Sequence, residues 1–157
     1  MRISARSRLR HEDGAAAVEF ALIAGVLSLL IFGMMEFGLA FLQIQALRAG
    51  AREGARQAAV GANLTQVKQA VSDGSAGALP NNSSVVSWTV VGASPANSGC
   101  TSSATDDTLG KEVQVTISTS NYAALPSALT EALKVDIPFM PAINLHPSVI
   151  GSFRCEQ

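Results

Sequence analysis

Aromatic side chains are scarce in this chain, at 5% of 157 residues, with one Trp and one Tyr. Charged side chains are sparse as well, at 15%, and eleven basic against twelve acidic residues leave a formal net charge of −1. A nucleic-acid-binding domain usually shows itself as a basic patch, so this balance gives no reason to expect nucleic acid as a partner. The two cysteines lie far apart, and there are only two histidines. Together they do not make a metal-ligand set, and no cofactor is implied. The sequence contains no glycine-rich phosphate loop and no G-x-S-x-G, and its carboxylates form no pair in a pocket context. Asp106 and Asp107 read as solvated turn residues, and His146, beside Pro147, as a surface residue. The parts of an enzyme are missing.

What the chain does have is apolarity, 48% of its residues, and it is concentrated in one place. Arg2, Arg6, Arg8 and Arg10 form a basic head, the arrangement that holds an N-terminus inside as the following apolar stretch meets a membrane. From Phe20 to Met35 no residue is charged. Those sixteen residues would cover only about 24 Å as a helix, against a hydrocarbon core of roughly 30 Å. A full span therefore draws in flanking residues on both sides, and with them Glu19 and Glu36. A carboxylate at the bilayer centre costs about 2.5–3.5 kcal/mol on insertion scales. Glu36 is expected to reach the outer interface; Glu19 calls for a further reason.

That reason comes from the residues around it. Gly14-Ala15-Ala16-Ala17-Val18-Glu19-Phe20 resembles the prepilin peptidase site of type IV pilin-like proteins, in the G-x-x-x-x-E-F form of Tad (tight adherence, Flp pilus) pseudopilins. Phe32–Gly38, FGMMEFG, and Ala51–Arg56, AREGAR, are similar to segments of TadE-like proteins. The resemblance runs from Gly14 to about Ala59, and beyond it only the family's general plan remains. It implies cleavage between Gly14 and Ala15, with Glu19 and Phe20 as assembly and recognition residues. The new α-amine on Ala15 would lie one helical turn from Glu19, and such a cation answers a carboxylate's need for a partner in a low-dielectric setting. The implied function is that of a minor pseudopilin in pilus biogenesis, adhesion and secretion. The implied partners are prepilin peptidase, the major Flp pilin, a TadF-like pseudopilin, the inner-membrane assembly platform and membrane lipid. A membrane-anchored extracytoplasmic binding module is the alternative reading.

The resemblance and the patterning together divide the chain into a leader over 1–14, a transmembrane and stalk helix over 15–60, and an extracytoplasmic α+β domain over 61–157. Phe37, Phe41, Ile44 and Leu47 continue at helical spacing past the apolar run, and Gly61 with Asn63 offers the first stop. Ala46, Gly50, Gly54 and Ala58 form a small-residue seam whose glycines each cost a helix about 1 kcal/mol. Close packing is expected along that seam, against a neighbouring pseudopilin helix or this chain's own head. Arg48, Arg52 and Arg56 form a second stripe, a solvated or headgroup-contacting face, with Glu53 placed to pair with Arg56. Asn63 and Gln66 read as a capping box for a short helix. Strands are expected at Val85–Val91, Glu112–Ser118 and Val149–Cys155, and a short helix at Ser127–Leu133, with a polar loop over Gly92–Gly110. The head would then be a small antiparallel sheet with a helix packed on it. Beyond the membrane, Cys100 and Cys155 are expected to be bridged rather than free.

Overall fold

The first helix, α1 (Arg6–Ala59), is 54 residues long, about 80 Å at the usual rise. Its sequence contains no proline and is rich in Ala, Leu and other strong helix formers, so nothing interrupts it. It ends where Gly61 takes a left-handed φ of 81°, which a residue without a Cβ adopts freely. The computed structural model describes residues 6–81, 83–92, 100, 102–103 and 106–156. Residues 1–5 of the expected leader lie outside the described residues, as do 93–99, 101 and 104–105 of the expected polar loop. Among the described residues the helix runs from Arg6, nine residues before the Ala15 at which the stalk helix was expected to begin, and passes through Gly14 unbroken, a single glycine being too small a penalty to stop it.

Two halves of α1 live in different surroundings. From Gly14 to Leu39 no side chain is buried, and large apolar residues such as Phe20, Leu22, Leu30, Phe32 and Met34 are more than half exposed. Apart from Glu19 and Glu36, that stretch is apolar on every side, the pattern of a membrane span rather than of a surface helix. It is about 39 Å long, and the helix is long and apolar enough to cross a bilayer once. Beginning at Ala40, α1 becomes part of a core: Leu47, Ala51, Ala55 and Ala58 are all fully buried.

The rest of the chain wraps that second half. Helix α2 (Leu64–Gly74) opens with the expected capping box, Asn63 Oδ1 accepting from the Gln66 amide and Gln66 Oε1 from the Asn63 amide, both at 2.9 Å. Val67 and Val71 form its buried side. Strands β1 (Val86–Val90), β4 (Glu112–Ser118) and β7 (Ser148–Arg154) form an antiparallel sheet in the order β1-β4-β7. Register places Trp88 opposite Val115 and Val115 opposite Gly151. The inward row of β4, Val113, Val115 and Ile117, is fully buried, as its strict alternation requires. Two small ladders complete the strands: β2 (Ser102–Ser103) with β3 (Asp106–Asp107), and β5 (Lys134–Val135) with β6 (Ile143–Asn144). Helix α3 (Ser127–Ala132) and a single 3-10 turn at Tyr122–Ala124 lie between β4 and β5. The fold is α+β, a long N-terminal apolar helix followed by a small antiparallel sheet. The change at residue 60 is one of element rather than of folding unit, since the head's core includes Leu47–Ala59 of the helix.

Candidate functional site

The residues singled out by sequence fall at three levels along α1. At its free end, Gly14 through Phe20 are all exposed, and a Cβ at Gly14 would meet nothing within 4 Å. Ala15 and Glu19 are four residues apart and so share a face of the helix. No ion pair reaches Glu19 among the described residues. The Gly14–Ala15 peptide lies within helical backbone, and both residues are exposed.

At the middle level, the glycine seam is occupied by the chain itself. A Cβ on Gly50 would lie 2.7 Å from the Val71 carbonyl oxygen and 2.9 Å from Ser75 Cβ. One on Gly54 would lie 2.5 Å from Val71 Cγ2. The partner surface carries its own glycine, since a Cβ on Gly74 would come within 3.1 Å of the Gly50 Cα. Helices α1 and α2 therefore cross glycine on glycine. Of the two occupants weighed for the seam, the structure puts the chain's own head there. Gly151 was not singled out by sequence reasoning, yet it is tighter than either seam glycine: a Cβ there would overlap Ala51 C, Ala51 O and Arg52 N. A lone glycine inside a strand is the signal that marks such an approach.

The arginine stripe stays outside. Arg48 and Arg52 are exposed and flank a shallow cavity completed by Ser148, Val149 and Ile150. Arg56 Nη2 donates to Glu53 Oε1 at 2.8 Å, and Gln57 Nε2 donates to the same oxygen at 3.3 Å. The hydrogen bond from Arg56 is the main cause holding the Glu53 carboxyl below its ordinary range, with partial burial opposing it.

At the far end of α1, Cys100 and Cys155 form a disulfide with 5.4 Å between their Cα atoms. The Cys155 amide donates to Lys111 O at 2.8 Å, and the Glu156 amide to Ala59 O at 3.1 Å. The bridge thus fastens the C-terminus where helix and sheet meet. Among the described residues no group of His, Cys, Asp and Glu is placed to hold a metal ion.

Compared with families of known proteins, residues 14–56 match the model described as TadE-like protein. That segment holds the Gly14–Phe20 motif, the apolar span and the two seam glycines, Gly50 and Gly54. Neither the curated proteins nor the solved structures contain a match.

Proposed function

We propose, from the premise that residues 14–56 match the TadE-like model, that this chain acts as a minor pseudopilin of a Tad/Flp type IV pilus assembly system. Prepilin peptidase removes the leader, residues 1–14, by cutting the Gly14–Ala15 bond on the cytoplasmic side. Helix α1 then holds the protein in the inner membrane with the head outside the cytoplasm. The freed amine of Ala15, on this chain or a neighbour, pairs with Glu19 and sets the register in which subunits meet. The partners are the major Flp pilin, a TadF-like pseudopilin and the assembly platform, and the role is structural, in pilus biogenesis with its adhesion and secretion.

One observation carries the reading: the family match begins at Gly14, the residue on the leaving side of the proposed scissile bond, in an exposed turn of helix. The intact mass and N-terminal sequence of membrane-extracted protein, with and without its cognate peptidase, test it directly. A peptidase-dependent start at Ala15 is expected. An uncut Met1 start with active peptidase would overturn the proposal and return the chain to a plain membrane-anchored module. Glu19→Ala should insert into the membrane as the parent does yet fail to enter the assembly; unchanged incorporation would refute the role given to Glu19.

A further inference from the structure

We propose that the hairpin tip Ile137–Pro141 is a second membrane contact, with Phe139 and Met140 entering the boundary between headgroups and acyl chains of the bilayer that α1 crosses. The inference rests on α1 spanning a bilayer, and on neither cleavage nor pilus membership.

The argument begins with depth. A hydrocarbon core of roughly 30 Å takes about 20 helical residues, which Ala15–Met35 supplies, and Glu36 marks its end. The head starts at once: Ala40, one turn on, is already buried. Leu145 closes the same small apolar cavity as Phe37, Gly38, Phe41 and Ile44 of α1. Phe37 and Phe41 are themselves half exposed on these turns. Leu145 follows β6, and its amide donates to Leu133 O at 3.0 Å, so this level is the base of the β5–β6 hairpin. That base therefore sits within one or two helical turns of the hydrocarbon edge.

The tip has the composition for such a place. From Ile137 to Leu145 no residue is charged. Phe139 is fully exposed, and Met140 and Ile143 are about half exposed. Pro138 and Pro141 stiffen the turn, which the Met140 amide closes onto Ile137 O at 3.1 Å. Phe139 holds a left-handed φ of 70°, a conformation that an L-aromatic residue adopts at a cost. The strained backbone and the fully exposed ring thus fall on the same residue. An aromatic side chain at the membrane interface has both ends of its environment satisfied. The apolar surface of α1 thus continues, through Phe41 and Leu145, onto the hairpin. The ionic pair Lys134–Asp136, at 3.7 Å, lies between the base and the tip, at the level where headgroups and water would meet it.

The test uses the full chain in vesicles of phosphatidylcholine and phosphatidylglycerol, prepared with and without lipids brominated near the headgroup end of the acyl chains. Native Trp88, the only tryptophan, is the background. Phe139→Trp is the reporter, Met140→Trp repeats it at the neighbouring position, and Leu29→Trp reports on the span. The expected result is loss of most of the emission contributed by residue 139 or 140 in brominated vesicles, with the Trp88 emission unaffected. If both hairpin reporters escape the lipid quencher and yield to aqueous acrylamide while Leu29→Trp is quenched, the hairpin contact is refuted and the span stands. If Leu29→Trp also escapes, α1 does not insert, and the proposal falls with the span.

Discussion

Gly151→Ala should be more damaging than the same change at Gly50, Gly54 or Gly33. The new carbon would overlap the backbone of Ala51 and Arg52, and backbone in a helix cannot swing aside as a side chain can. Overpacking a tight site costs about 1–3 kcal/mol, and a rigid wall puts this case at the upper end. The gain from replacing a strand glycine, about 0.5–1 kcal/mol, offsets only part of it. A net loss of about 2 kcal/mol in a head this size lowers Tm by roughly 10 °C. Gly50→Ala should cost less, since its contacts, the Val71 carbonyl oxygen at 2.7 Å and Ser75 Cβ at 2.9 Å, are longer than those at Gly151 and it gains about 1 kcal/mol of helix propensity. Gly54→Ala should cost least of the three, because the atom it meets at 2.5 Å is the end of the Val71 side chain. Gly33→Ala, with nothing within 4 Å, serves as the unobstructed control and should leave head unfolding unchanged. Thermal unfolding in detergent, followed by near-ultraviolet dichroism and Trp88 fluorescence, ranks the four. A Gly151→Ala protein that melts with the parent would refute the claim that β7 lies directly on the α1 backbone.

Two further outcomes follow from the head. Cys100→Ala with Cys155→Ala opens a bridge between residues 55 apart, which chain-entropy reasoning values at about 4 kcal/mol; calorimetry of the double variant should show the fall, and reduction of the parent should reproduce it. Glu53 has a lowered folded pKa, caused first by the Arg56 hydrogen bond. Its stabilising effect is therefore present above its ordinary value of 4.5 and is lost as pH falls through the lower folded value. The pair is largely exposed, so the effect is small, and urea titrations of the parent and Glu53→Gln should converge only at the acid end.

Much of this architecture was legible because it is local. The uncharged run, the capping box at Asn63 and Gln66, and the alternation of Val113, Val115 and Ile117 each depend on residues close in sequence. The helix, α2 and β4 follow from them. What could not be read was where distant segments touch. The seam at Gly50 and Gly54 announced close packing but not its occupant, because a four-residue repeat of small side chains says nothing about what arrives from elsewhere. Gly151 carried the sequence mark of a close approach and was passed over among the β-branched residues of its strand. The β5–β6 hairpin was hidden for a different reason. Pro138, Pro141 and Pro147 suppress any periodic signal there, and its two ladder pairs, Lys134 with Asn144 and Val135 with Ile143, are too few to create one.

The occupancy of the seam bears on how copies of such a chain could meet. A G-x-x-x-G on a stalk helix invites a second helix at close range, but here α2 fills that place, leaving no room for even a methyl group at Gly50. A neighbouring subunit could reach the seam only by displacing α2, and with it Val67 and Val71 from the core. Contact through the apolar span carries no such cost. Between Gly14 and Met35 no residue of the helix is buried, and Gly25 and Gly33 each have open space where a Cβ would stand. The two halves of α1 are thus separable by mutation: changes at Gly50, Gly54 or Gly151 should alter folding of the head. Under the proposed assembly role, changes at Glu19 or along the span should instead alter subunit association while the head melts as before. A span variant that lost assembly only by unfolding the head would break that division, and with it the argument that one continuous helix serves two independent purposes.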